Sequence, residues 1–540
     1  KQYSLLVDSD RISSVIAYDD EGVITPIISV KEGRTDIILT FNAKNIGLGK
    51  ISSFSLRYEH AGIASKNGNI WEVYIPGIAN DPDIATYDVT LSVPPSFGSA
   101  SYISPLPSKE QIWTKDQMIS GGIAAAYGTE QYFDVSLIYE LSNPLLTSQS
   151  IGLALPPDTA YQKVTVKRLH PKPETTERDK DGNWLAYYTL MPAQSFSVTA
   201  DMQVRTYLYP RKDYFQPKID SSVYTQQRTY WETSDPDITA LAASYRTPDA
   251  IYRYVSRILT YDYDRINAPT ERLGARKALD APNTALCTEF TDVFIAIARA
   301  AGMPARRNIG YAYTNNARLR PLSVESDVLH AWPEYYDRQN NIWIPIDPTW
   351  AHTTGGADYF SKLDFNHIVF AINGVDSSLP YPAGFYRKAE TKTKNVHVDF
   401  SQSVSTLLPP KISINIEFPQ QVGTGTSVRG QIIVHNEGGE SAYLLPIDAQ
   451  SDIGGIVIHE IIDELLPYAT QKIPITAHIP QSLNKKTGTI HVQAYEASVS
   501  TSFTVQPMYI LYGIVIAIAC IILLLSVHLL RLLWKRLHKK

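Results

Sequence analysis

Cysteine is what this chain most lacks. Its 540 residues hold two, Cys287 and Cys520. Cys520 falls in an apolar run near the C-terminus, so Cys287 has no partner for an intrachain disulfide. A disulfide-stapled fold is thereby excluded, and stability must come from packed cores. A strong charge of either sign is missing too: a net charge of -5 and a pI near 6.2 leave no basic footprint, so no nucleic acid is expected as a partner. The 44% hydrophobic content fits a globular protein and not a disordered one. There is no internal repeat, no long low-complexity tract, no His-Glu-x-x-His spacing and no calcium-loop motif, and no cofactor is expected. At this length one core does not suffice, and several domains are expected.

Charged side chains are missing altogether from Met508 to Leu530. Such a stretch, as a helix rising ~1.5 Å per residue, crosses a hydrocarbon core of ~30 Å. A transmembrane helix is expected over 508–530, followed by a basic tail over 531–540 with Arg531, Lys535, Arg536, Lys539 and Lys540. The positive-inside bias puts that tail in the cytoplasm and the large acidic body outside, with Tyr509, Tyr512 and Trp534 at the interfaces. The chain begins at Lys1 without an apolar leader, so the expectation is a mature form whose signal peptide has been removed. The rival topology, a tail-anchored protein facing the cytosol, would set the basic cluster on the far side of the membrane. In an exported body a lone thiol is either a buried small hydrophobe or a nucleophile.

Between these features the chain divides by pattern. Short β-strands are predicted from Thr35 to about Pro210: Phe196, Val198, Ala200, Met202 and Val204 alternate, and Asp181-Gly182 marks a hairpin turn before Trp184–Leu190. The acidic stretch from Glu174 to Asp181 reads as a solvated loop. Prolines between Pro94 and Pro107 interrupt regular structure, which gives one β-sandwich module over 1–105 and a second β module over 106–215. Thr247-Pro248-Asp249 then supplies an N-cap, a first-turn proline and a first-turn acid, so a helical subdomain starts within a separate domain expected over 216–390. Beyond it Ile412, Ile414, Ile416 and Phe418 alternate, and an immunoglobulin-like β-sandwich is expected over 405–506.

Cys287 opens a predicted helix. Phe290, Val293, Phe294 and Ile297 recur at helical spacing, and Gly302 and Pro304 stop the run. A thiol in the first turn meets the positive end of the macrodipole and unpaired backbone N–H groups, which favour a thiolate and can donate to an oxyanion. Downstream, His330 and Asp347 flank the polar turn Arg338-Gln339-Asn340-Asn341, and the flanks read as an antiparallel hairpin. Opposite partners in such a pair share a constant residue-number sum, odd for a two- or four-residue loop centred here. His330 and Asp347 also have an odd sum, so they project from one face, where the carboxylate can orient the imidazole while its other nitrogen serves the thiol. Lesser candidates are Asn283 as an oxyanion donor, with a turn-forming role the plainer reading, and Trp332 as a shield, with core packing equally in view. His352, His367 and Asp358 read as structural.

The run Cys287-Thr288-Glu289-Phe290 continuing to Gly302-Met303-Pro304, then His330-Ala331-Trp332 and Asp347-Pro348-Thr349, resembles the transglutaminase-like superfamily over roughly residues 235–385, as a membrane-anchored member of bacterial or archaeal type. The resemblance implies a papain-like α+β core with Cys287 as nucleophile, His330 as general base and acid, and Asp347 as the orienting residue. It also implies a thioester formed with a peptide or carboxamide carbonyl and resolved by water or an amine. Relatives commonly carry glycine two residues before the cysteine, where this chain has Ala285. The expected function is a membrane-anchored, extracytoplasmic cysteine hydrolase, amidase or acyltransferase acting on a protein or cell-envelope peptide, with hydrolysis favoured. The alternatives are a catalytically inactive peptide-binding module and an adhesin-like surface protein in which the β modules do the work.

Overall fold

The computed structural model describes residues 2–42, 49–109, 111–119, 122–267, 271–314, 322, 329–354, 357–386, 394–401 and 408–537. Lys1 and the tail residues Lys539 and Lys540 lie outside the described residues. Two compact units emerge, one of residues 1–131 with 350–362, the other of residues 132–349 with 363–540.

The first unit is built of short antiparallel sheets. Strands Gln2–Val7, Arg34–Thr40 and Ile27–Lys31 make one, and Gly22–Ile24, Ile12–Asp19 and Phe54–His60 another, with Ala17, Ile24, Ile37 and Leu39 buried together. A four-stranded sheet follows in the order Ala100–Ser104, Ile123–Tyr127, Ile70–Ile75, Ala64–Asn67. The boundary expected at residue 105 falls within the reach of this sheet, because Ala100–Ser104 pairs with Ile123–Tyr127 across it. The prolines there interrupt local structure, but backbone groups on either side still find partners in one ladder. Residues 350–362 belong to this unit: the Tyr102 hydroxyl donates to the Asp358 carbonyl at 2.8 Å and Lys362 Nζ to the Ser101 carbonyl at 3.2 Å.

The second unit opens with two facing sheets, one of Gln162–His170, Ser195–Tyr207, Glu130–Ser142 and Val396–Phe400, the other of Gln149–Leu155, Trp184–Leu190 and Thr175–Arg178. Its strand Val396–Phe400 comes from beyond residues 216–390, so the module expected over 106–215 is not contiguous in sequence. In Ser195–Tyr207 the alternating Val198, Ala200, Met202 and Val204 are buried, and so is Gln203, whose amide donates to Ser401 Oγ at 3.1 Å. The predicted hairpin at Asp181-Gly182 pairs Thr175–Arg178 with Trp184–Leu190. The stretch from Glu174 to Asp181 is therefore not a solvated loop. It holds a strand and a buried tip, where the Asp181 carboxylate accepts the backbone N–H groups of Gly374 at 2.9 Å and Val375 at 3.0 Å.

The central part combines helices α1 (Pro236–Ser244), α2 (Pro248–Ile258), α3 (Ala275–Asp280) and α4 (Cys287–Ala300) with strands β1 (Ala305–Ala312), β2 (His330–Asp337), β3 (Ile342–Pro345) and β4 (His367–Asn373). The strands form one antiparallel sheet in the order β3-β2-β1-β4. The α2 signal works as its residues dictate: Thr247 Oγ1 accepts the Ala250 N–H at 3.2 Å, ahead of Pro248 and Asp249. α4 differs from a helix with one apolar face, since Glu289, Thr291, Asp292 and Arg299 are buried along with its hydrophobic residues. Helices α1, α2 and α3 cover the side that the sheet leaves open, and each buried charge has partners. Asp292 accepts Trp231 Nε1 at 2.8 Å and pairs with Arg272, while Arg299 donates to the carbonyls of Ala305, Gln226 and Gly374.

The edge strand β4 is held by side chains that imitate a neighbouring strand. The Gln162 amide donates to the Val369 carbonyl at 3.0 Å and accepts its N–H at 2.9 Å, and Asn183 does the same at Ile372 at 2.8 and 2.7 Å. These paired bonds satisfy an edge that would otherwise be open. The C-terminal region places Ile412–Glu417, Ser427–Asn436 and Thr470–His478 against a five-stranded sheet of Gln421–Gly423, Ala497–Gln506, Lys486–Ala494, Ala442–Ser451 and Val457–Leu465. The chain then runs into the helix Met508–Leu537, in which Tyr512–Trp534 is long and apolar enough to cross a membrane by length and composition. The fold class is thus the expected one: a multidomain, mostly β chain with an α+β core and one apolar C-terminal helix.

Candidate active site

Cys287 is the first residue of α4. The chain reaches it along an extended segment: Ala285 bridges Tyr261 in parallel, the Asp262 N–H donates to the Ala285 carbonyl at 2.9 Å, and Thr260 N–H donates to the Pro282 carbonyl at 2.8 Å. Ala285 has φ -82 and ψ 142, ordinary extended backbone, so this turn needs no glycine. Glu289, fully buried, locks the helix start. One carboxylate oxygen accepts the Leu286 N–H at 2.9 Å, the other accepts the Leu273 N–H at 3.0 Å, and Arg265 lies 3.5 Å away. The Cys287 carbonyl accepts Thr291 Oγ1 at 2.8 Å.

β2 and β3 pair with Glu334 opposite Pro345 and Asp337 opposite Ile342. In that register Asp347 continues the face that carries His330, and His330 Nε2 lies 2.9 Å from Asp347 Oδ2. The second oxygen, Oδ1, accepts the Thr349 N–H at 2.9 Å, as an acidic residue does ahead of a proline-started turn. With Nε2 engaged, Nδ1 is the ring nitrogen left for the thiol, and Cys287 lies near enough to the imidazole to help raise its pKa. Cys287, His330 and Asp347 are all 0% exposed.

Burial alone would lower the His330 pKa, but the charge and hydrogen bond of Asp347, with Cys287 behind them, outweigh it and push it up to about 10. Burial likewise works against an ionised Asp347, yet His330 and then His367 hold that carboxyl well below the usual range. A carboxylate anchoring an imidazolium beside a thiol is the electrostatic layout that nucleophilic sulfur chemistry needs.

Trp332 is buried, with its ring stacked on His330 at 5.8 Å between centroids and edge-on to His367 at 4.9 Å. Asn283 is exposed on the short turn Pro282–Thr284, whereas Cys287 is buried, so its side chain does not join the buried group. Of the histidines and acid read as structural, His352 and Asp358 belong to the first unit and His367 to the second. Asp358 caps its own turn through the N–H groups of Phe360 and Ser361, among residues 350–362 of the first unit. His367 instead lies beside Asp347, with Nε2 3.5 Å from Oδ2. Reading the sequence missed this residue, and also Arg307, a buried guanidinium in electrostatic reach of Arg272, Asp292 and Cys287. The adjacent charges Arg306-Arg307 at the start of an otherwise uncharged strand are the signal that could have found it. His330, Asp347 and His367 offer three ligand atoms within 4.8 Å, a spacing that the 2.9 Å hydrogen bond of His330 and the 3.5 Å ion contact of His367 to the shared carboxylate already account for.

Residues 236–348 match the family model of the transglutaminase-like superfamily. An uncharacterized protein of Mycobacterium tuberculosis strain H37Rv is 25% identical over 240 residues, covering 39% of this chain and 76% of its own length. A Mycobacterium bovis protein, also uncharacterized, matches to the same extent. Among solved structures, a candidate cysteine protease from Cytophaga hutchinsonii is 16% identical with a TM-score of 0.29, covering 51% of this chain and 99% of that chain. Red sea bream transglutaminase is 12% identical with a TM-score of 0.21, covering 66% of this chain and 80% of that chain. By that family model, residues 236–348 carry a transglutaminase-like core, which supports a cysteine-type enzyme kind.

Proposed function

We propose that this protein is a membrane-anchored, extracytoplasmic cysteine enzyme that opens peptide, isopeptide or carboxamide bonds of a protein or cell-envelope substrate through a thioester on Cys287. The observation that carries the reading is the 2.9 Å contact between His330 Nε2 and Asp347 Oδ2, buried beside the N-terminus of the helix that Cys287 begins. The thiol proton passes to His330 Nδ1, and the sulfur attacks the carbonyl carbon. The resulting oxyanion is stabilised by backbone N–H groups of the first turn of α4. Collapse breaks the C–N bond as His330 returns the proton to the leaving nitrogen. Water then adds to the thioester carbonyl as His330 takes its proton; collapse breaks the C–S bond, the acid leaves, and His330 returns the proton to the Cys287 sulfur.

Hydrolysis is favoured over amine transfer because the three groups are fully buried, and water needs less room than an alkylamine side chain. Membrane anchoring rests on the helix Met508–Leu537, whose described side chains from Tyr512 to Trp534 are exposed, and the outward body on the cations that follow it. The test is activity-based labelling of the full chain in detergent, wild type against Cys287→Ala, with mass spectrometry of a trapped acyl group. A wild-type adduct absent from the variant is expected, and identical labelling of the two would overturn the enzyme reading.

A further inference from the structure

His367 is placed on the site by an irregularity in the sheet. β1 and β4 pair with Ile309 opposite Ala371, but with Gly310 opposite Val369, so the register slips by one residue between them. One residue of slip transfers every later side chain of β4 to the other face. It puts His367 opposite Ala312, on the face that carries His330 opposite Gly310. The bulge is possible because position 310 has no side chain: a Cβ there would lie 1.8 Å from the Ile368 carbonyl oxygen.

The imidazole so delivered lies between two carboxylates. Its Nε2 is 3.5 Å from Asp347 Oδ2 and its Nδ1 is 2.7 Å from Asp364 Oδ1, which also accepts the Asn366 N–H at 2.8 Å. Trp332 packs against the ring. The ring also borders a cavity of about 40 Å³, lined in part by Trp332, Leu363 and Asp364. We propose that His367 is a positioning residue: clamped by Asp364, it shares the Asp347 carboxylate with His330 and thereby holds that carboxylate ionised and aimed at the catalytic imidazole. The inference rests on the thiol reading of Cys287. Burial of His367 opposes its protonation, but Asp364 and Asp347 outweigh that and raise its pKa, so the ring can donate to both. Asp364 matters to the chain because it fixes which nitrogen points inward, as outer carboxylates do for site histidines generally.

The test is the second-order rate of Cys287 alkylation by iodoacetamide in the full chain at neutral pH. His367→Leu should slow it about tenfold, the equivalent of one pKa unit in the activating imidazole. His367→Gln, which restores an N–H donor toward Asp347, should return the rate to within about threefold of wild type, less than half a pKa unit. His367→Gly should recover on addition of imidazole, for which the vacated ring volume joins the cavity. Asp364→Asn, altering a partly exposed side chain, should slow the reaction severalfold without lowering the thermal midpoint. An unchanged rate in His367→Leu overturns the inference, as does His367→Gln reacting as slowly as His367→Leu at an unchanged thermal midpoint. If His367→Leu does not fold, an unchanged rate in Asp364→Asn overturns it instead. A wild-type thiol no more reactive than a free cysteine peptide would sink the enzyme reading itself and this inference with it, whereas an activated wild-type thiol with insensitive variants sinks this inference alone.

Discussion

His330 and Asp347 meet at 2.9 Å although neither belongs to the paired rungs of the β2–β3 hairpin, which run from Glu334–Pro345 to Asp337–Ile342. The contact is diagonal: Asp347 lies beyond the last rung on the face that Trp332 and His330 share. Such a diagonal lets one carboxylate oxygen serve the imidazole while the other takes a backbone N–H. The orientation of His330 thus depends on a group held by the chain itself.

Asp347→Asn keeps the shape and removes the charge. It should lower kcat by about 10³–10⁴, the scale seen when an orienting carboxylate is lost and the imidazole takes the wrong tautomer, with KM nearly unchanged. Steady-state kinetics on a peptide substrate would check this, and a loss confined to KM would contradict the assigned role.

The same pair makes stability depend on pH in both directions. The His330 pKa is raised to about 10, so its contribution is full below about pH 6.5 and is lost as pH rises through the folded value. The Asp347 pKa is depressed, so its contribution is present above about pH 4 and is lost as the solution becomes more acidic. Thermal unfolding followed by circular dichroism should show a maximum between these limits, with both arms shallower in Asp347→Asn. Identical profiles for wild type and variant would refute the linkage.

Gly310→Ala tests the bulge. The new methyl would meet the backbone of Ile368 and Phe370, atoms that move only with the strand. We expect a loss of at least about 2–3 kcal/mol, at the upper end of overpacking effects, because backbone must shift. Urea denaturation measures it, and a cost below 1 kcal/mol would mean that the slip in register tolerates a side chain.

Glu289→Ala removes a buried carboxylate that caps the helix start and the 273 loop together, leaving the Leu286 and Leu273 N–H groups without it. The expected destabilisation is about 1–3 kcal/mol. Cys287 alkylation should slow in parallel, since the turn that presents the thiol loses its anchor. Unfolding curves and labelling rates together check this, and unchanged labelling would separate the cap from the site.

Deleting residues 508–540 should convert a vesicle-associated protein into one that stays in the supernatant, with thiol labelling retained. Flotation with lipid vesicles reads the outcome, and continued flotation of the truncated chain would show that another surface binds the membrane.

Much of the site was legible because its signals are local. Cys287 stands between a turn and a helical repeat, and the helix stop at Gly302 and Pro304 fixes which end the thiol occupies. The His330–Asp347 relation follows from parity across one short loop, a property of any antiparallel hairpin. Asn283 stayed open to two readings because a polar residue before a helix reads alike whether it faces solvent or a site, and its exposed place on the turn Pro282–Thr284 agrees with the plainer one.

Tertiary structure decided the rest. His367 reaches Asp347 only because β4 pairs with β1, far away in sequence, and because the register slips at Gly310. Periodicity along one strand cannot reveal on which face a bulged partner leaves its side chains. The strand Val396–Phe400 joining a sheet begun at Glu130, and residues 350–362 packing with the first unit, have the same origin. Sequence by itself determined the residue types, the helix ends and the parity of one hairpin, since those depend on neighbours in the chain. Hydrogen bonding between distant strands determined that His367 came to Asp347, and no local pattern encodes it.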